Sequence, residues 1–446
     1  MKSWNTGPTY SRRQLIRNAA LACSTTSSSG WFPALADELL GTTGRPPRSC
    51  ILLWMSGGPS QLETFDPKPE HENGGPGKAI QTVVPGISIS ENLPGIAARM
   101  QDLAIIRSMS TKEGDHNRAT YFLRTGYLPQ GPIRYPAMGS FLAHELVQDN
   151  SDLPPFISIN PFRAVNPDAW SPGFLGPAWS PLIVTGQSRE DALAAFEVRN
   201  LKVNETIGDA RLRTRLQMLG RLEDQFLQHR PDVPGQSHRQ AYQSAVRMMT
   251  SAAVQAFDLS GEPAALRESY GRSAFGQGCL LARRLVESGV AFVEVSLGSP
   301  DGTGGAGWDT HSENFSSVAD LCRVLDPAWS TLLTDLRERG LLESTLVLWM
   351  GEFGRTPVIN PNSGRDHWPG SWSVVAGGGG IRGGQTYGAT EADGVAIRDN
   401  PVTAQQLIAT VCGGLGVDAA TTNISNIGRP IPLADHDVQP ISELLM

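Results

Sequence analysis

Ser49-Cys50-Ile51-Leu52-Leu53-Trp54-Met55 runs directly into Ser56-Gly57-Gly58-Pro59. The first stretch is apolar without alternation, which predicts a strand buried on both faces; the glycines predict a tight turn at its end. Strands covered on both faces belong to parallel sheets, because crossover helices pack on each side. The pattern recurs along the chain. Leu103–Met109, Val290–Leu297, Thr345–Met350 and Ser371–Ala376 read as further strands. Helices are predicted at about Leu93–Gln101, Ala119–Arg124, Met138–Val147, Gly278–Ser288, Phe315–Arg339 and Thr403–Cys412. Apolar strands alternating with helices predict an α/β fold with a mostly parallel sheet and helices on both faces.

One stretch breaks the alternation. From Asp152 to Pro181 the chain is thick with Pro and Trp and reads as shaped loops. Leu212, Leu216, Leu219, Leu222 and Phe226 then recur at helical spacing within Asp209–Phe257. Residues of about 152–258 therefore read as a helical insertion or cap. No linker or internal repeat is visible, so 37–446 reads as a single domain.

The chain has 446 residues, 40% hydrophobic and 18% charged, enough to bury a sizeable core. Its formal charge is −7, and residues 1–36 hold Lys2, Arg12, Arg13 and Arg17 with no acid. The remaining 33 basic against 44 acidic groups leave −11, which disfavours nucleic acid as a partner. Ser11-Arg12-Arg13-Gln14-Leu15-Ile16-Arg17 precedes an uncharged stretch, Asn18–Ala36, that closes on Ala34-Leu35-Ala36. A basic start, a mildly apolar middle and a small-residue end have the anatomy of a cleavable export signal. The paired arginines resemble the twin-arginine type, which implies a periplasmic or secreted protein. Its middle is too rich in Ser, Thr and Gly for a stable membrane span. Cys50, Cys279, Cys322 and Cys412 are too scattered for a disulfide framework and form no CxxC zinc pair.

Polar residues gather where the strands end, which is where open parallel sheets bind ligands. Trp308-Asp309-Thr310-His311 follows one strand, and Gly351-Glu352-Phe353-Gly354-Arg355-Thr356-Pro357 follows another. Gly364-Arg365-Asp366-His367-Trp368-Pro369 comes next, and Glu113-Gly114-Asp115-His116-Asn117-Arg118 follows Leu103–Met109. Four of the eight histidines stand one or two positions after an Asp: His116, His311, His367 and His436. Carboxylate and imidazole in Gly-flanked loops suit a divalent cation such as zinc, manganese or calcium. Asp435-His436 lies in the tail and reads as structural. Asp309, His311, Glu352, Asp366 and His367 are the candidate metal ligands, and His116 and Arg355 the candidate catalytic residues. Arg118 and Arg365 are candidate anion-binding residues, because a guanidinium forks onto a tetrahedral oxyanion. Neither Gly57-Gly58-Pro59-Ser60 nor Gly377–Gly384 has the spacing of a nucleotide loop, and no Gly-x-Ser-x-Gly elbow ends a strand.

The block from Ile51 through Pro67-Lys68, Trp308-Asp309-Thr310-His311, the Gly351–Pro357 block and Asp366-His367-Trp368 occur in an order that resembles one family. It is the exported domain-of-unknown-function family 1501, grouped with the alkaline phosphatase and sulfatase superfamily. The resemblance implies an alkaline-phosphatase-like, doubly wound α/β fold. It also implies one metal site built from Asp309, His311 and His367, completed by Glu352, Asp366 or His116. Metal hydrolases of that superfamily end the first strand in Asp, where this chain has Ser56, with Asp66 ten residues on. Their late Asp-His-Gly corresponds here to Glu352-Phe353-Gly354, and the sulfatase nucleophile has no equivalent in Gly114–Arg118. Thr111 and Thr120 are the nearest hydroxyls. The expected activity is a metal-dependent hydrolase acting on small sulfate or phosphate esters. The alternative is a catalytically silent relative that binds a sulfated or phosphorylated glycan or a partner protein.

Overall fold

The computed structural model describes residues 48–446 apart from 148–151, 190–191, 198–208, 230–232 and 303. The export signal expected over residues 1–36 lies outside them. In chain order the strands that matter are β1 (Ser49–Met55), β2 (Leu103–Met109), β3 (Phe156–Ile159), β4 (Leu182–Arg189), β5 (Ala192–Glu197), β6 (Phe292–Leu297) and β7 (Thr345–Met350). They are followed by the short ribbon of β8 (Gly354–Arg355) and β9 (His367–Trp368), then β10 (Trp372–Gly377) and β11 (Gln385–Tyr387). All but β8 and β9 form one sheet, in the order β11-β2-β10-β7-β1-β6-β3-β4-β5.

β1 is central and pairs in parallel with both β6 and β7. β10 runs antiparallel to β2 and β7, and β5 antiparallel to β4, so the sheet is mostly parallel. The helices used below are α1 (His116–Thr125), α2 (Met138–Leu146), α3 (Asp209–His229), α4 (Val233–Thr250), α5 (Ala274–Glu287), α6 (Asn314–Glu338) and α7 (Ala404–Leu415).

Successive β1 side chains point to opposite faces, and both faces are covered. Ile51, Leu53 and Met55 pack in one core with Leu281 and Leu285 of α5 and Trp329 of α6. Cys50, Leu52 and Trp54 pack in the other with Phe141 and Leu142 of α2 and Leu407 and Ile408 of α7. This explains why β1 shows no alternation: every position is interior. Burying a side chain such as Leu53, which is 0% exposed, contributes about 1.5–3 kcal/mol.

Three differences from the sequence expectation have physical causes. The helix expected at Leu93–Gln101 is only Pro94–Ala97, since the chain must tighten into a 3-10 turn at Met100–Asp102 to enter β2. The loops expected before Pro181 include β3, a four-residue strand hidden between Pro154-Pro155 and Asn160, which sits at φ 53°. The stretch around 152–258 is therefore not a purely helical insertion. β3 and β4 join the main sheet, and α3 and α4 alone supply the expected helical pair.

Candidate metal centre

Four segments meet at the carboxyl end of β1, β6 and β7. The turn after β1 has Gly57 at φ +112°, and a Cβ there would lie 2.5 Å from the Asp309 backbone nitrogen. Only glycine permits that approach. It lets the Gly57 N–H donate to Glu352 Oε1 at 2.8 Å, tying the end of β7 to the end of β1. Asp115 caps α1 by accepting from the Arg118 N–H, which fixes His116 at the first helical position. His367 is set by the β8–β9 ribbon, in register with Arg355.

These segments bring three imidazoles around one oxygen. Asp309 Oδ1 lies 3.3 Å from His116 Nε2, 3.1 Å from His367 Nε2 and 3.1 Å from His311 Nε2. The Nε2 atoms of His311 and His367 are 3.0 Å apart. Ligating atoms of His116, Asp309 and His367 all fall within 4.8 Å of one another. His311, the more exposed ring, closes the group from the open side.

The second ring nitrogens are equally constrained. His367 Nδ1 lies 2.7 Å from the Gly114 carbonyl oxygen, His311 Nδ1 2.7 Å from Asp366 Oδ1 and His116 Nδ1 2.8 Å from Glu352 Oε1. A carbonyl or a carboxylate only accepts, so each Nδ1 carries a proton, and each Nε2, once stripped of its own proton, presents a lone pair. Three lone pairs and a carboxylate oxygen then face one point, an excess of acceptors that a cation resolves. His116 Nε2 and Glu352 Oε2 are moreover buried with no hydrogen-bond partner. The donor set thus fits a divalent metal.

In the metal-free site a proton on His116 supplies positive charge in place of a cation. Burial lowers the pKa of His116, but its contacts with Asp309 and Glu352 outweigh this and raise it to about 9. Burial raises that of Asp309, yet His116, His367 and Arg355 together hold its carboxyl well below the usual carboxylate range. His311 holds Asp366 low in the same way.

The geometry divides the roles differently from the sequence expectation. Glu352 and Asp366, expected as ligands, stand behind His116 and His311 and bond their Nδ1 atoms. His116, expected as a catalytic residue, turns its Nε2 to the shared oxygen. Arg355 is fully buried and donates to Gly58 O at 2.9 Å, to Gly57 O and to Asp309 Oδ1 at 2.6 Å. It staples the β1 turn to Asp309 rather than facing an incoming group. Arg365 is corrected outright: it is 0% exposed, and Glu63 together with the carbonyls of Thr356, Pro357 and Asn73 takes all its N–H groups. Arg118 stays at the surface, where it donates to Glu113 at 2.7 and 3.0 Å.

Phe353 packs against the cluster, with its ring centroid 4.6 Å from that of His367 and 4.9 Å from that of His116. Asp66 does not reach the cluster. It is held by Lys68 at 3.0 Å and Thr390 at 2.5 Å.

Over residues 47–445 the chain matches the family model described as a protein of unknown function (DUF1501), and it belongs to that family. It matches no curated protein. Among solved structures it is similar to the PsFucS1 sulfatase from Pseudoalteromonas sp., at 11% identity and a TM-score of 0.39, over 93% of this chain and 76% of that one. It is also similar to a protein in the alkaline phosphatase superfamily from Vibrio parahaemolyticus, at 11% identity and 0.38, over 85% and 69%. The phosphonate monoester hydrolase of Agrobacterium radiobacter aligns at 11% identity and 0.36, over 89% and 77%. Likenesses this distant assign no activity to the chain. Among the described residues no helix is long and apolar enough to cross a membrane.

Proposed function

We propose that the chain is an exported metal-dependent hydrolase with a single divalent cation held by His116, Asp309, His311 and His367. The observation that carries this is the convergence of three Nε2 atoms on Asp309 Oδ1, each ring fixed through its Nδ1. When bound, a divalent cation supplies Lewis acidity toward an ester oxygen and lowers the pKa of water. Glu352, Asp366 and the Gly114 carbonyl hold the three tautomers. Arg355 fixes the orientation of Asp309 from beneath. Phe353 occupies the space of a second ligand, which favours one cation over two. Among the described residues no side-chain hydroxyl hydrogen-bonds to the side chain of His116, Asp309, His311 or His367, which supports water as the nucleophile. The substrate class is a small sulfate or phosphate ester, and residues 1–36 are read as the twin-arginine export signal.

The engagement of Arg355, Arg365 and Arg118 favours a second reading, a silent relative that keeps the pocket to bind an anionic glycan or a partner protein. Elemental analysis of the folded mature protein, purified without chelator, tests the first. Near-stoichiometric zinc, manganese or calcium is expected, and it should vanish in the His311→Ala/His367→Ala double variant with the fold retained. A folded protein that stays metal-free after incubation with these cations would refute the metal centre.

A further inference from the structure

Loaded with a divalent cation, the cluster carries no net charge to draw an anion from a distance. Asp309, Glu352 and Asp366 carry three negative charges, and Arg355 with one divalent cation balances them. Charge attraction of an anionic ester therefore falls to cations outside the cluster. We propose that Arg163 and Lys112 are those cations and determine specificity for a substrate carrying one compact tetrahedral oxyanion. The proposal rests on the metal-dependent reading above.

Arg163 lies on the loop that leaves the carboxyl end of β3, next to β6 in the sheet. Both ends of this loop are pinned to segments that build the cluster. At one end Asn160 Nδ2 donates to the Gly302 carbonyl at 3.3 Å, within the loop that leads to Asp309 and His311. At the other, the Val165 carbonyl accepts from Asn117 Nδ2 at 2.9 Å, and Asn117 directly follows His116. Arg163 is two residues from Val165, at most ~7 Å of chain, and an arginine side chain spans a similar distance. Lys112 is two residues before Gly114, whose carbonyl holds His367 Nδ1. Both side chains belong to exposed residues.

What separates them from the other cations here is that their charges are free. Among the described residues, neither forms an ion pair or a side-chain hydrogen bond, whereas Arg355, Arg365 and Arg118 are held by carboxylates. An exposed lysine or arginine loses little by turning to an incoming oxyanion, and a guanidinium meets two of its oxygens at once. The exposed Asp115 beside His116 repels extended polyanions, so the arrangement suits a single sulfate or phosphate group more than a run of them.

Calorimetry on the full chain tests this in two stages, metal first and inorganic sulfate second. Wild type, Arg163→Gln, Lys112→Gln and the double variant should bind the metal with one affinity, since none of the altered side chains contacts the cluster. On the metal-loaded proteins the sulfate Kd should rise about tenfold in Arg163→Gln and further in the double variant. Arg163→Lys should lie between. Sodium chloride should weaken sulfate binding by wild type and leave the double variant almost unaffected. An unchanged sulfate Kd in the double variant, or no sulfate binding by loaded wild type, overturns the proposal while leaving the metal centre standing. Failure of the metal titration overturns the centre before sulfate is added.

Discussion

Two arginine–carboxylate pairs stand side by side at the end of the sheet, and they behave oppositely. Arg365 and Glu63 are 0% and 4% exposed, and donors and acceptors balance. Glu63 also accepts from Asn314 Nδ2 at 2.9 Å, and Asn314 Oδ1 accepts from Thr310 Oγ1 at 2.6 Å. Nothing in that chain of bonds asks for another group. Arg355 and Asp309 are built from the same residue types, yet Asp309 keeps 30% of its side chain exposed and shares one oxygen with three histidines. There the acceptors outnumber the donors. The difference teaches how to tell a scaffold from a site: a closed count of hydrogen bonds makes rigidity, and a surplus of lone pairs makes a place for a cation.

The comparison breaks if the balanced pair proves dispensable. Glu63→Ala leaves the Arg365 guanidinium buried without a counter-charge, which costs about 3–5 kcal/mol. Denaturant unfolding should show that loss whether or not metal is present, and a change near zero would mean water reaches Arg365. Glu352→Gln sharpens the other side. Its amide can donate to His116 Nδ1 and move the proton to Nε2, so metal affinity should fall about 10–100-fold. Calorimetric metal titration should show that fall with little change in the melting temperature of the metal-free protein; equal affinity would detach Glu352 from the centre.

A third test is a pH slope. In the metal-free protein the His116 pKa is raised from 6.5 to about 9, so the folded state holds its proton more tightly than the unfolded chain. The stability this contributes is complete below pH 6.5 and is lost as pH rises through about 9. Melting temperatures across that window should decline in the metal-free protein and lose this component in His116→Ala. A cation must displace the same proton, so metal affinity should rise over the same window. A flat profile in both respects would place His116 outside the cluster.

Much of the fold was legible in residues 49–55, because a run that is apolar at every position has one economical explanation, a strand interior on both faces. β3 was not, since Phe156–Ile159 is too short to show a period and the prolines before it disguise its start. The Asp–His spacing pointed to the right loops. It did not distinguish ligand from support: His116 and Glu352 are 236 residues apart, and which of their atoms faces Asp309 is settled by the cap on α1 and the turn at Gly57. The arginines misled for a related reason. A guanidinium in a loop looks available in sequence, whereas Arg365 meets Glu63 from 302 residues away.

What the sequence determined by itself is local: burial of strands, helix period, turn glycines and the chemistry gathered at strand ends. Periodicity and polarity act between near neighbours, so they can be read in order along the chain. Only the tertiary structure decided which acceptors were left unmatched, because a hydrogen-bond count closes in space and its partners come from opposite ends of the sequence.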